Sequence, residues 1–385
     1  MMKIVNVTHH YTDGWGYQDN LLPKYQKLAG DNVVVITDTC HFPVSMSQED
    51  IDEILKKGDE YTFDGIRIRK MKCSLNTTNS SFFCKGLYRL LKEEKPDIIF
   101  HHGIDSSSLI VSTIYRIFHP KTSLFVDSHA DFINQSKNKI WLLCNDSIWL
   151  PFIGFLVSPF VKKFFGVSPL RCDYLHKRYR IRKKKIELLP LGGDTELVDS
   201  ITESREELRK KYNIPEDDFI IVSGGKMGKN KGTLELIEAF EELKKKISNI
   251  RLLLFGKSDD AVKQKLTQSN DIISIGWCDR LETLSLLKLS DVAVWPLLHT
   301  SLIEDAISCG TPLIVKESGN TNHYIDYDNG VYLKTGDKEE LTEAIKSMIE
   351  ENNYSVRKHN AEKMKDAFSY HAIAEKIKSF VSYNI

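Results

Sequence analysis

Short, almost wholly apolar runs alternate with longer amphipathic stretches along this chain, and the alternation starts again near its middle. In the first half, residues 3–7, 33–37, 66–69, 97–101, 123–127 and 164–168 read as strands, with helices between them over stretches such as 17–29 and 106–118. In the second half the strand candidates are 219–223, 251–255, 272–275, 292–295 and 312–315. Strands this apolar are covered on both faces, so each half predicts a parallel sheet wrapped by helices. Residues 231–246 carry Leu234, Ile237, Phe240 and Leu243 on one helical stripe. Pro190, Gly192 and Gly193 punctuate the join, and the tail from Lys338 onward reads as helical.

A length of 385 residues suits two domains. The predicted division is 1–193 and 194–369, with a helix over about 370–385 packing back on the first domain. The fold class is α/β: two Rossmann-like, doubly wound domains facing across a cleft. In open α/β sheets ligands sit beyond the carboxyl ends of the strands, so the loops there are where chemistry is sought. Equal numbers of basic and acidic residues, 53 each, leave no net charge to draw a nucleic acid. The seven cysteines (Cys40, Cys73, Cys84, Cys144, Cys172, Cys278 and Cys309) form no CxxC pair and read as free thiols in a reducing cytoplasm. The N-terminus has no apolar signal-peptide core, so Asn-x-Ser/Thr triplets such as those at Asn76 and Asn79 carry no weight. The most apolar segment, 140–160, is interrupted by Asn145, Asp146 and Pro151, and no transmembrane helix is expected.

Residues 223–232, SGGKMGKNKG, join a strand to a helix. Glycines let backbone approach a ligand, the helix N-terminus favours anions, and Lys226, Lys229 and Lys231 add charge. The combination suits a diphosphate; a solvated helix start is the plainer alternative. Neither a Walker A loop nor GxGxxG is present. A second loop follows Trp295. His299, Thr300 and Ser301 form a polar turn that opens a helix, with Thr300 or Ser301 as N-cap. Glu304 and Asp305 fall in that helix's first turns, where the dipole favours carboxylates. Gly310 ends it and Pro312 begins the next strand.

Together these segments resemble the retaining glycosyltransferases of family 4, which have the GT-B fold. The family signature Gly-Arg/Lys-x4-Lys-Gly reads here as Gly225-Lys226-x4-Lys231-Gly232. Its Glu-Ala-x-Ala-x-Gly-x-Pro helix reads as 305–312, DAISCGTP, and its Asn-Gly-x-Leu-x-x-x-Gly-Asp pattern resembles 328–337, DNGVYLKTGD. The resemblance implies that Lys226 and Lys231 hold the donor diphosphate and stabilise it as it leaves. It implies that Asp305 takes the ribose hydroxyls, and that His299, Thr300 and Ser301 lie near the donor. Two positions depart from the pattern. The family's usual first Glu is Leu297 here, and the ribose Glu is Asp, one methylene shorter, so Glu304 is the other candidate for the ribose. No bound metal or other cofactor is expected.

In the first domain, Gly14 and Gly16 follow the first strand, where the family places a glycine loop close to the donor phosphates; a plain turn is the alternative. His129 follows the fifth strand, where the family places a residue contacting the transferred sugar, and Asp131 either orients it or meets an acceptor hydroxyl. His102 ends the fourth strand, as packing or as acceptor wall. His129, Lys226 and Lys231 are thus the catalytic candidates. From Lys162 to Lys185 there are ten Lys/Arg and one acidic residue, preceded by Trp141, Trp149, Phe152, Phe155 and Phe160. Aromatics beside a basic cluster fit anionic lipid, so residues 141–185 are a candidate membrane contact; a solvated face over buried aromatics is the other reading.

The expectation is a cytoplasmic glycosyltransferase of hexosyltransferase type, peripheral on the membrane. It moves a sugar from a nucleoside-diphosphate donor, UDP type favoured, to an acceptor hydroxyl in cell-surface polysaccharide or glycolipid synthesis, with retention. The rivals are an epimerase or inverting enzyme on the same fold, and a non-catalytic homologue that binds nucleotide sugars.

Overall fold

The computed structural model describes residues 1–39, 42, 46–78, 81–132, 145–266 and 271–381. Cys40, Asn79, Trp141 and Cys144 lie outside the described residues, and Cys73 and Asn76 are described by backbone alone. The chain divides into two compact units, Met1–Pro190 with Ile373–Ile385, and Leu191–Ala372.

The first unit holds β1 (Lys3–Val7), β2 (Asn32–Asp38), β3 (Glu60–Phe63), β4 (Ile66–Thr78), β5 (Ser81–Lys85), β6 (Ile98–His101), β7 (Ser123–Ser128), β8 (Lys163–Gly166) and β9 (Ile186–Leu188). Their order is β3-β4-β2-β1-β6-β7-β8-β9, with β5 beside β4. β3 and β5 are antiparallel to β4 and the other pairings are parallel. Three of these strands, β3, β5 and β9, have no counterpart in the sequence reading, and β4 runs nine residues past the expected end at Arg69. Their polar alternation and short length hide them, since only strands buried on both faces give continuous apolar runs.

The second unit holds β10 (Phe219–Met227), β11 (Ile250–Ser258), β12 (Ile272–Gly276), β13 (Val292–Trp295), β14 (Leu313–Lys316) and β15 (Gly330–Leu333). They form a wholly parallel sheet ordered β12-β11-β10-β13-β14-β15. Alternate residues point to opposite layers. Val222, Leu253, Ala293 and Leu313 belong to one core, and Ile221, Leu252, Val292 and Ile314 to the other. Each Val, Leu or Ile side chain among them contributes about 1.5–3 kcal/mol by leaving water. Local signals start the helices on time: Ser204 and Glu207 form a capping box at Arg205–Lys211, and Asp337 caps Lys338–Ile349.

Both sheets share one doubly wound order, reversing between β1 and β6 and between β10 and β13. That reversal is the switch point where such sheets bind ligands.

Candidate functional site

In the second unit the glycine-rich segment is strand first and loop later. β10 continues to Met227, so Gly225 and Lys226 lie opposite Gly256 and Lys257 in the ladder. Gly225 and Gly256 both have positive φ, and a Cβ on Gly256 would stand 2.2 Å from the Gly225 carbonyl oxygen. Only glycine tolerates that approach and that dihedral. A short turn over Lys229–Lys231 follows. Gly232, at φ +74°, then opens the helix Thr233–Lys244. Lys226 is exposed and Lys231 half-buried. Among the described residues neither has an ion pair; Lys226 is near the end of β10 and Lys231 lies two residues before a helix of 12 residues. Free cations beside unpaired helical N–H groups make an anion site.

After β13, Pro296 and Leu297 press on two glycines. A Cβ on Gly232 would meet Pro296 Cβ at 2.8 Å and Leu297 Cγ at 3.1 Å, and one on Gly336 would meet the Pro296 carbonyl oxygen at 2.3 Å. Leu297 is therefore an apolar filler between two motif glycines. The helix Leu302–Ser308 begins without a side-chain cap. Ser301 has helical φ and ψ, and no hydroxyl bond satisfies the first turn, so the expected N-cap is absent.

Glu304 and Asp305 are both buried and both engaged. His299 Nε2 lies 2.9 Å from Glu304 Oε1, and the Tyr324 hydroxyl donates to the same oxygen. Burial would raise the Glu304 carboxyl, but His299 and Tyr324 outweigh it and hold it low. Its Oε2 is buried without a partner. Asp305 accepts both arms of Arg280, one at 2.6 Å. Burial still holds the Asp305 carboxyl above its ordinary range. The expected ribose carboxylate is thus occupied by a guanidinium that no motif announced.

In the first unit, Gly14 sits at φ +76° in open space, within the turn that precedes the helix Gln18–Leu28. Gly16 is half-buried beside it. Beyond the ends of β1, β2, β6 and β7 lies a network of histidines and carboxylates. Asp127 is wholly buried. Its Oδ2 accepts from His102 Nδ1 at 2.9 Å and stands 3.6 Å from His129 Nε2, while its Oδ1 accepts the Gly103 N–H at 2.8 Å. Burial would raise the Asp127 carboxyl, yet the two imidazoles hold it far below the usual range. Burial pushes His102 down, and Asp127 with Asp19 more than reverses this. The carboxylate against His129 is therefore Asp127, whereas Asp131 pairs with Arg171 at 3.7 Å. His129 is 43% exposed in its side chain, and His102 is buried. Alongside, His9 Nε2 meets Ser106 and Ser108 at 2.7 and 2.8 Å, and Ser108 also meets His101 Nε2 at 2.8 Å. Burial, first, drops His101 to about 3, so its ring is neutral.

The sequence reading missed His9, Asp19, Asp38, Ser106, Ser108, Asp127, Arg280 and Tyr324 as participants. Asp38 and Asp127 lie in the last turns of strands, and a search for polar residues at carboxyl ends of apolar runs finds both. Arg280 and Tyr324 lie on a helix and a loop and carry no such mark.

The basic stretch also resolves. Trp149, Phe152 and Phe160 are exposed and Phe155 is 80% exposed, so these aromatics are not core. The helix Leu150–Val157 contains no polar residue and buries only its Leu150, Ile153, Gly154 and Val157 face. It packs beside the helix Ser108–Phe118, whose end adds Ile114, Ile117 and Phe118, the last 69% exposed. Arg180, Arg182, Lys183 and Lys184 are exposed. No helix of the described residues is long and apolar enough to cross a membrane. Cys84, Cys172, Cys278 and Cys309 are free thiols.

Residues 204–367, the span that carries Lys226, Lys231, Glu304 and Asp305, match a family model. It is that of glycosyl transferases group 1. Two curated relatives are similar. An uncharacterized glycosyltransferase of Methanocaldococcus jannaschii is 24% identical over 251 residues, 60% of this chain and 58% of that protein. The capsular polysaccharide biosynthesis glycosyltransferase CapM of Staphylococcus aureus is 24% identical over 214 residues, 51% of this chain and 55% of its own. The chain spans about half the length of the curated relatives it matches. Among solved structures, HepE of Anabaena in complex with UDP aligns with a TM-score of 0.69 at 16% identity, covering 98% of this chain and 99% of that one. At that identity the likeness speaks to fold: an α/β chain of two Rossmann-like units in the GT-B class.

Proposed function

We propose that the protein is a retaining glycosyltransferase that uses a nucleoside-diphosphate sugar, UDP type favoured, and transfers the sugar to an acceptor hydroxyl in bacterial cell-surface polysaccharide or glycolipid synthesis. The observation that carries this reading is the pair of unpaired lysines, Lys226 at the end of β10 and Lys231 just before the following helix, inside the span that matches the group 1 glycosyltransferase model. The two cations and the helical N–H groups bind the diphosphate and stabilise the charge that grows as it departs. Glu304 Oε2, unpartnered beside His299, is the oxygen left to meet a donor hydroxyl. His129, steadied by Asp127, lies at a strand end where a polar group can meet the transferred sugar. The departing phosphate takes the acceptor proton on the same face, a route that needs no carboxylate nucleophile. The name of CapM supports the polysaccharide setting, and the UDP bound to HepE supports the nucleotide.

The acceptor side is read as membrane-proximal. Exposed Phe152, Phe155 and Phe118 beside exposed Arg180, Arg182, Lys183 and Lys184 are suited to an anionic bilayer. Co-sedimentation with phosphatidylglycerol vesicles, lost in Phe152→Asp/Phe155→Asp and absent with phosphatidylcholine alone, tests that part.

The transfer itself is tested by donor turnover with a panel of UDP- and GDP-sugars and by the anomeric configuration of the product. An inverted product removes the retaining assignment, and a C2-epimerised nucleotide sugar points to an epimerase. Leu297 and the Arg280 clamp on Asp305 favour one other reading, a homologue that binds nucleotide sugar without transferring it. Saturable UDP binding with neither transfer nor donor hydrolysis would establish it.

A further inference from the structure

Three strand ends of the first unit converge on one buried point. His9 lies two residues past β1, Asp38 ends β2, and Cys84 is on β5. His9 Nδ1, Asp38 Oδ2 and Cys84 Sγ lie within 4.8 Å of one another. His9 and Asp38 are buried and Cys84 is half-buried. The residues are 29 and 46 positions apart, so no spacing motif marks them.

We propose that His9, Asp38 and Cys84 form a site for a divalent transition-metal ion, with Zn2+ the ion that suits the ligands best. A nitrogen, a carboxylate oxygen and a sulfur together match zinc, whereas magnesium and calcium take oxygen sets. Three protein ligands leave a fourth position for water. A thiolate and a carboxylate carry two negative charges, so a divalent ion makes the buried set neutral, which burial otherwise penalises. On binding, the Cys84 thiol releases its proton to solvent as the sulfur–metal bond forms.

The surroundings of His9 are those of a metal-ligating imidazole. Its other nitrogen, Nε2, faces the hydroxyls of Ser106 and Ser108 at 2.7 and 2.8 Å. Metal-bound histidines almost always donate their second N–H in this way, which fixes ring and tautomer. In the apo protein the ring nitrogen Nδ1 lies 2.5 Å from Asp38 Oδ2, a contact that a proton on Nδ1 bridges; a metal ion would take that proton's place, with the ring proton then on Nε2. Zinc at about 2.0–2.3 Å from each atom requires the nitrogen and oxygen to part by roughly 1 Å. Ser108 also binds His101, so the ion would tie the ends of β1, β2 and β6 together. The proposal stands apart from the transferase reading.

The test uses the full-length protein stripped of metal and titrated with Co2+. One equivalent is expected to bind with a thiolate-to-cobalt charge-transfer band, which Zn2+ then displaces. Cys84→Ser and His9→Ala are expected to lose the band. Ser106→Ala and Ser108→Ala are expected to keep it and to bind about 10–100-fold more weakly. Absence of the band in the wild type, or its retention in Cys84→Ser, overturns the site. X-ray absorption on the zinc-loaded wild type keeps the proposal testable if a variant does not fold: one sulfur with nitrogen and oxygen neighbours supports it, and an all-sulfur or sulfur-free shell sinks it.

Discussion

The two switch points have the same topology and opposite electrostatics. In the first unit the strand-end groups bond to one another: Asp127 with His102, His9 with Ser106 and Ser108. In the second, Arg280 closes off Asp305 while His299 and Tyr324 take only one oxygen of Glu304, and the cations Lys226 and Lys231 stand open. A closed network fixes geometry, because each buried charge already has its partner. Open cations at a helix start await an anion from outside. The same βα frame thus carries a self-paired cluster in one unit and a pair of open cations, suited to an anion, in the other.

The contrast breaks most visibly at the open lysines. Lys226→Ala and Lys231→Ala are each expected to lower donor turnover about 100–1,000-fold, the scale of losing one charge-stabilising group. Lys229→Ala, on the same turn, is expected to change it far less. Equal losses in all three would mean that bulk charge matters and the placement of the two motif lysines does not.

The closed side is expected to fail through stability. Arg280→Ala strands the buried Asp305. Removing one partner of a buried pair costs up to about 5 kcal/mol, and Arg280 is 30% exposed in its side chain, so about 2–3 kcal/mol is expected in urea denaturation. Arg280→Leu with Asp305→Asn removes both charges and is expected to recover most of that loss. If the single variant is as stable as the wild type, the Arg280 pair does not hold the helix Leu302–Ser308, and Asp305 returns as ribose carboxylate.

That pair also marks where sequence reading stops. Five of the six strands of the second sheet were legible as apolar runs, and β13, buried throughout, falls on the expected residues, whereas β15 was not read. The antiparallel β3 was not read either, since a half-exposed strand alternates and merges with its flanks. Lys226 and Lys231 were legible because a glycine-rich turn needs both its glycines and its charges close in sequence. Arg280 reaches Asp305 across 25 residues, and Asp127 reaches His102 across another 25. Such partners are set by strand order, which no local spacing encodes. The helix expected from Lys231 begins two residues later, at Thr233, because Gly232 turns the chain at positive φ.

The smallest expected effect separates the units by pH. His102 is raised in the folded protein by Asp127 and Asp19 against its burial. Its stabilising contribution is therefore complete below about pH 6.5, the ordinary histidine value, and is lost as pH rises through the higher folded value. Glu304 is lowered, so its contribution is present above about pH 4.3 and is lost as pH falls. Urea midpoints from pH 3.5 to 9 check both signs. The stability gap between wild type and His102→Gln is expected to shrink on the alkaline side, by at most about 1.4 kcal/mol per pH unit for one proton. The gap to Glu304→Gln is expected to stay flat there and to close only in acid. A gap for His102→Gln that is flat up to pH 9 would mean a neutral ring at position 102, and the first unit's network would then be held by neutral hydrogen bonds instead of an ion pair.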